Sequence, residues 1–244
     1  MSRLVFGVNP VLEALRAHPE KFERIVLAHG ARPHAIGEIE SRARKAKIRI
    51  ETAARERLDA ASEGGVHQGV LAELAEFEYA ELEDLLEPAD APPLLVLLDG
   101  IQDPHNLGAL IRSAHAFGAS GVVIPQDRAV GVTAVASKAS AGATEHCRIA
   151  RVVNLARAVE QLKSANIWTA AAVVDGDKLP WELDLAGPSA LVIGAEGAGV
   201  RPLVAKTCDF RVRIPMAGAL GSLNASAAGA VLLYEAMRQR AGKR

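Results

Sequence analysis

Leu94-Leu95-Val96-Leu97-Leu98-Asp99-Gly100-Ile101-Gln102-Asp103-Pro104-His105-Asn106-Leu107-Gly108 decides the architecture of this chain. Five consecutive apolar residues without alternation suit a parallel strand buried on both faces. A polar loop ends the run, and Leu107, Leu110, Ile111, Ala114 and Gly118 then recur at helical spacing. The same order of strand, loop and helix repeats downstream. Further strands are predicted at 121–124, 167–173, 190–193 and 210–214, and helices at 107–117, 132–141, 154–164, 201–207 and 224–239. Alternation of this kind predicts an α/β fold with a parallel sheet covered on both faces. No internal repeat is visible.

Upstream, the elements are shorter. Asn9-Pro10 opens a predicted helix to about residue 17, with Asn9 as N-cap and Pro10 at the first helical position. Strands at 24–28, 48–51 and 69–74 and a helix at 33–45 complete a small α/β domain. Residues 71–90 then hold eight acids and no bases, and Pro88, Pro92 and Pro93 precede the next apolar run. Such a segment repels itself and reads as a linker. The expected division is 1–75, an acidic linker 76–93, and 94–244.

The linker also explains the net charge of −1. Residues 1–70 carry twelve bases against nine acids and residues 91–244 sixteen against twelve, so two mildly basic lobes flank the acidic stretch. Mild basicity suits a protein that meets a phosphate backbone. Arg42, Arg44, Lys45, Lys47 and Arg49 cluster at a predicted helix end, where they either offset the helix dipole or contact RNA phosphate. Aromatic residues make up only 4% of the chain, which disfavours recognition by base stacking. Cys147 and Cys208, the only cysteines, have neither metal-ligand spacing nor disulfide density, so neither a structural zinc nor an oxidising compartment is expected. No apolar run approaches a membrane span. The expected location is the cytoplasm.

Three loop stretches carry the chemistry. The first runs from Asp103 to Gly108 with Arg112 following, the second is Gly194-Ala195-Glu196-Gly197-Ala198-Gly199, and the third leads from Ile214-Pro215-Met216 into Ser222-Leu223-Asn224-Ala225-Ser226. Their glycines allow backbone to approach a ligand closely. Asn106 is read either as a helix N-cap or as a site residue. Arg112, off the apolar stripe, is either a surface residue or a guanidinium able to grip phosphate or carboxylate in bidentate fashion. The second stretch is G-x-x-G-x-G, neither a dinucleotide fingerprint nor a P-loop. Glu196 within it favours a cationic or neutral ligand over a pyrophosphate. Ser222, Asn224 and Ser226 are candidates for caps, but capping accounts for one of the three, not all.

Asn106-x-Gly108-x-x-x-Arg112, Gly194-x-Glu196-Gly197-x-Gly199 and Ser222-Leu223-Asn224-x-Ser226 resemble, in order, the three motifs of the SpoU branch of the SPOUT RNA 2′-O-ribose methyltransferases. Each motif is modest and the ordered set is specific. Residues 6–15 (Phe-Gly-Val-Asn-Pro-Val-Leu-Glu-Ala-Leu) and 66–70 (Val-His-Gln-Gly-Val) resemble the small RNA-binding domain of its rRNA-modifying members. The likeness thus covers nearly the whole chain. Ala225, where the branch usually has Val, is a conservative departure.

The resemblance implies a trefoil-knotted parallel sheet, an exception to the rule against knots. It also implies S-adenosylmethionine as methyl donor, contacts to it from Gly194, Ile214, Met216 and Leu223, a homodimer through the knotted domain, and a guanosine of 23S rRNA as substrate. Neither a metal nor a membrane is implied. Asn106, Arg112, Glu196, Ser222 and Asn224 become the catalytic set. A guanidinium keeps its proton, so Arg112 would act by holding the adjacent phosphate and stabilising the developing alkoxide, with the other four positioning Arg112, substrate and donor. Competing readings are a tRNA-directed member of the same branch, a nucleotide-dependent dehydrogenase and a non-catalytic RNA binder. The added N-terminal domain favours rRNA over tRNA. The loop after Leu98 lacks the dinucleotide glycines, and a mere RNA binder has no need of the internal Arg, Glu, Ser and Asn set.

Overall fold

A computed structural model of the protein describes residues 2–31, 33–86, 91–218 and 221–242. The chain divides into two compact units, Met1–Glu78 with Val132–His146, and Tyr79–Gly131 with Cys147–Arg244. In the first unit the elements begin β1 (Ser2–Phe6), α1 (Val8–Ala17), β2 (Phe22–Ala28), α2 (Pro33–Lys45), β3 (Ile50–Ala53), α3 (Arg55–Ala61) and β4 (Val70–Ala75). Its sheet has the order β1-β4-β2-β3, with β4 antiparallel to both neighbours and β3 parallel to β2. Val11, Ala14 and Leu15 of α1 and Ile36, Ile39 and Ala43 of α2 pack on Ile25, Leu27, Ala72 and Leu74. The sequence reading missed β1 and α3, and α1 starts earlier than predicted: its N-cap is Gly7, so Asn9 and Pro10 lie inside the first turn.

The second unit opens with β5 (Leu94–Asp99), α4 (Pro104–Ala116) and β6 (Gly121–Pro125). The chain then gives α5 (Ala134–Ala139) to the first unit and returns as β7 (Ile149–Val152), α6 (Leu155–Ser164), β8 (Trp168–Ala172), β9 (Ser189–Gly194), α7 (Pro202–Thr207), β10 (Phe210–Val212) and α8 (Ala225–Ala241). Six parallel strands lie in the order β10-β8-β9-β5-β6-β7. Every residue of β5, β6 and β9 is buried, as the apolar run at Leu94 predicts. The direction of winding reverses between β5 and β9. At the carboxyl ends the loop after β5 is bonded to the loop after β9, and the segments leaving β8, β9 and β10 wall a cleft.

Two readings of the linker and of the 94–244 segment change here. Residues 79–86 of the expected linker fold onto the second unit: Ala80 bridges Ala150, Glu83–Leu86 form a 3₁₀ turn, and Leu82 and Leu85 are buried in the core. The apolar residues spaced among the acids, not the net charge, decide this. Pro88 and the rest of 87–90 lie outside the described residues. The predicted helix at 132–141 shortens to α5, capped by Thr133, and packs against β1 of the first unit.

Three of the five bases of the cluster make ion pairs, Arg42 with Glu38, Arg44 with Glu40, and Arg49 with Glu51. Among the described residues no helix is long and apolar enough to cross a membrane, and no group of three or more His, Cys, Asp or Glu side chains could hold a metal.

Candidate active site

Four loops meet at the carboxyl ends of the parallel strands. The first leads from β5 into α4. Asp103 caps α4, its carboxylate accepting from His105 N at 2.9 Å, and Pro104 takes the first helical position. Asn106 is therefore not the cap, and its amide is free for the site. Asn106 Nδ2 donates to Glu196 Oε2 at 3.5 Å, and Asn224 Nδ2 donates both to Asn106 Oδ1 (3.1 Å) and to Glu196 Oε2 (3.3 Å). One side chain from each of the three predicted stretches thus enters a single hydrogen-bonded set.

Asn224 is the N-cap of α8, so capping and site chemistry coincide in it. Its Oδ1 accepts from Ser226 N (2.9 Å) and from Ser226 Oγ. The other end of the amide is thereby fixed as a donor, aimed at Glu196. Ser226 thus acts on Asn224, not on the cleft.

The second stretch makes the tight turn between β9 and α7. A Cβ on Gly194 would lie 2.0 Å from the Gly199 carbonyl carbon and 2.1 Å from Val200 N, so only glycine lets the chain return over its own strand end. Asp99, buried at the end of β5, holds the far side. It accepts from Arg201 N (2.7 Å) and Arg201 Nε (2.6 Å), while its own carbonyl accepts from Ala195 N. The sequence reading passed over Asp99, although a carboxylate closing a wholly apolar strand at the ligand end of a sheet is itself a signal.

Beside this set lies a cleft of about 650 Å³. Gly194, Glu196, Ile214, Met216, Ser222 and Leu223 all line it, so every residue expected at the donor contributes to its wall. Met216 and Leu223 are more than a third exposed and give the cleft wall apolar surface. Two further charged residues of the lining were not foreseen, Asp175 after β8 and Arg213 after β10. Arg211 holds Asp175 at 2.6 Å, and that hydrogen bond keeps the carboxyl below the usual range. Arg112 stands apart. It is exposed on α4, and among the described residues no hydrogen bond or ion pair engages its guanidinium.

Comparison with known proteins fits this geometry. Residues 93–234 match the SpoU rRNA Methylase family, and residues 4–80 match the RNA 2′-O ribose methyltransferase substrate binding family. The chain belongs to the SpoU rRNA methylase family. It is 40% identical to the 23S rRNA (guanosine-2′-O-)-methyltransferase RlmB of Pseudomonas syringae pv. tomato, covering all of this chain and 99% of that one. RlmB of Escherichia coli K12 is 38% identical, over 98% of this chain and all of its own. Among solved structures, the SpoU methyltransferase AviRb from Streptomyces viridochromogenes in complex with the cofactor AdoMet superposes with a TM-score of 0.83, at 27% identity, over 99% of this chain and 91% of that one. SpoU membership agrees with the parallel-sheet α/β fold and with a preceding substrate-binding unit, as the motifs imply.

Proposed function

We propose that the protein transfers a methyl group from S-adenosylmethionine to the ribose 2′-OH of a guanosine in 23S rRNA, in the cytoplasm, as a homodimer through the trefoil-knotted second unit. The observation that carries this reading is the union of Asn106, Glu196 and Asn224 beside the glycine-walled cleft. Full-length similarity to RlmB supports the choice of substrate.

The cleft fits the donor. Ile214, Met216 and Leu223 offer apolar surface for a purine, and Gly194 keeps backbone within reach of a flat ligand. Glu196, whose carboxylate no cation pairs with among the described residues, gives the cleft wall a negative charge that would suit a cationic sulfonium. S-adenosylmethionine, when bound, supplies an activated methyl on that sulfonium.

The protein's own groups then have two tasks. The first is alignment, because an in-line displacement needs its nucleophile held in a near-attack geometry. Glu196, fixed by two amide donors, is the acceptor that orients substrate or donor, and Ser222 adds a hydroxyl on the cleft wall. The second is charge. Arg112, with no internal partner among the described residues, is available to hold the phosphate next to the reacting ribose and to stabilise the oxyanion as its proton leaves.

Purified protein incubated with S-adenosylmethionine and rRNA tests the reading. Mass spectrometric mapping should find one new 2′-O-methylguanosine in 23S rRNA, absent from rRNA of cells lacking the protein. Methylation of tRNA with 23S rRNA untouched would overturn the substrate assignment.

A further inference from the structure

Residues 132–146 lie inside the stretch that matches the SpoU methylase family, yet they fold into the N-terminal unit. Arg3 on β1 grips Glu145 with both terminal nitrogens, Nη1 to Oε1 at 2.9 Å and Nη2 to Oε2 at 2.6 Å. That carboxylate is 1% exposed and also accepts from Thr144 Oγ1 at 3.1 Å. His18 Nε2 bonds the Glu145 carbonyl oxygen at 3.1 Å. A buried bidentate pair is costly to break, so the segment is anchored and α5 is held in place.

The anchor delivers one side chain to a particular spot. Lys138 runs across Gly7, where a Cβ would lie 2.3 Å from Lys138 Nζ and 3.0 Å from its Cδ; Gly7, at φ +95°, leaves the channel open. Lys138 Nζ donates to Gln68 Oε1 at 2.7 Å, and Val8 N donates to the same oxygen at 3.2 Å. Gln68 itself sits at φ +55° on a loop pinned by the buried His67, whose Nδ1 accepts from Gly69 N (3.0 Å) while Nε2 donates to Asp59 Oδ1 (2.8 Å).

With two donors on its oxygen, the Gln68 amide is locked with its NH₂ turned away from them, and the residue is exposed. Among the described residues no carboxylate pairs with Lys138. Burial pulls its pKa down. The result is an ammonium without a counter-ion, flanked by a fixed pair of amide donors, at the start of α1. Every group there offers a proton or a positive charge, and an anionic oxygen is what completes it.

We infer that Lys138 and Gln68 form a phosphate-gripping point for the rRNA backbone. This rests on the proposed rRNA substrate. The RNA-binding surface of the N-terminal unit is thereby composite, its cation coming from a segment that the sequence places among the catalytic elements. Phosphate contacts of this kind set register and not sequence preference.

The experiment is a salt titration of binding to transcribed fragments tiling 23S rRNA, read by fluorescence anisotropy. Lys138→Met keeps the aliphatic stem over Gly7 and removes the charge. It should weaken binding about five- to eightfold at 0.1 M salt and flatten the slope of log K against log salt by about 0.7–0.9, one phosphate contact's worth. Lys138→Arg should restore most of the slope. Gln68→Glu, which can still accept from Lys138 and Val8 but presents an oxygen where the amide donated, should weaken binding too. Calorimetric S-adenosylmethionine affinity should match wild type in all three.

An unchanged slope for Lys138→Met, whether or not affinity falls, overturns the inference, because loss of packing alone does not alter counter-ion release. Wild-type affinity for Gln68→Glu overturns the part assigned to the amide. If wild-type protein binds none of the fragments at any salt, the rRNA reading itself fails, and that result is distinct from the others.

Discussion

Asn224 performs two tasks that substitution can separate. Its Oδ1 caps α8 by accepting from Ser226 N and Ala227 N, and its Nδ2 donates to Asn106 and Glu196. Asn224→Ala removes both. Loss of the cap costs about 1 kcal/mol, and loss of a solvent-exposed amide donor to a carboxylate about 1 kcal/mol more. At about 2–4 °C per kcal/mol for a chain of this size, the melting temperature should fall by roughly 4–8 °C.

Asn224→Ser keeps an oxygen at the cap but has no donor that reaches Glu196, so its melting temperature should fall by no more than about 4 °C. Asn224→Asp also caps, and its charge suits a helix N-terminus. It places a second carboxylate where the amide nitrogen stood, 3.3 Å from Glu196 Oε2, a repulsion of about 1 kcal/mol in a solvent-like dielectric. Single-turnover methyl transfer, measured beside thermal melts, should show all three variants slowed by about 10²-fold, the cost of a misaligned reacting group. A Ser variant that melts like wild type and methylates at the wild-type rate would refute the reasoning. The amide would then be a cap and nothing more.

Other outcomes follow from the same geometry. Gly194→Ala forces a methyl into the Gly199–Val200 backbone, so it should weaken S-adenosylmethionine binding at least tenfold by calorimetry while far-UV circular dichroism stays native; wild-type affinity would show that the turn yields freely. Arg112→Ala should abolish transfer without lowering the melting temperature, since the residue is exposed and off the buried stripe of α4. Arg112→Lys should recover little, and near-normal turnover would remove the bidentate role. Burial pushes the Cys147 thiol up to about 11 and Cys208 to about 12, so neither should react with a thiol reagent at pH 8 until the protein is denatured. The stability gained by burying these neutral thiols is present below their unfolded pKa of about 8.5 and declines as pH rises toward 11–12, which alkaline melts would register.

The sheet was legible because its signal is local. An unbroken apolar run such as Leu94–Leu98 needs no knowledge of its neighbours to be read as a doubly buried strand. β7, with only Ile149 and Ala150 fully buried, carries no such run and was missed. Composition misled where it averaged over spacing: eight acids in 71–90 outweighed Leu82 and Leu85 in a count, yet two apolar side chains at i and i+3 suffice to fold the segment onto a core. Asn106 stays open between cap and site residue in the sequence because Asp103 and Asn106 are both good caps and only Pro104 at the first helical position decides between them.

The site was legible in its members but not in its wiring. Asn106 and Glu196 stand 90 residues apart and Asn224 a further 28, and no periodicity links them. They meet because β5 and β9 are neighbours in the sheet although four strand positions separate them along the chain, and because α8 packs on α4. The same topology explains why Asp99 escaped notice. A carboxylate at the end of an apolar strand is ambiguous until one knows which backbone arrives opposite it. Here Ala195 N and the Arg201 backbone and guanidinium arrive together, from both ends of the Glu196 turn. Asp99 therefore makes the position of Glu196 a consequence of the core: the buried strand fixes the carboxylate, the carboxylate fixes the turn, and the turn presents the acceptor to Asn106 and Asn224.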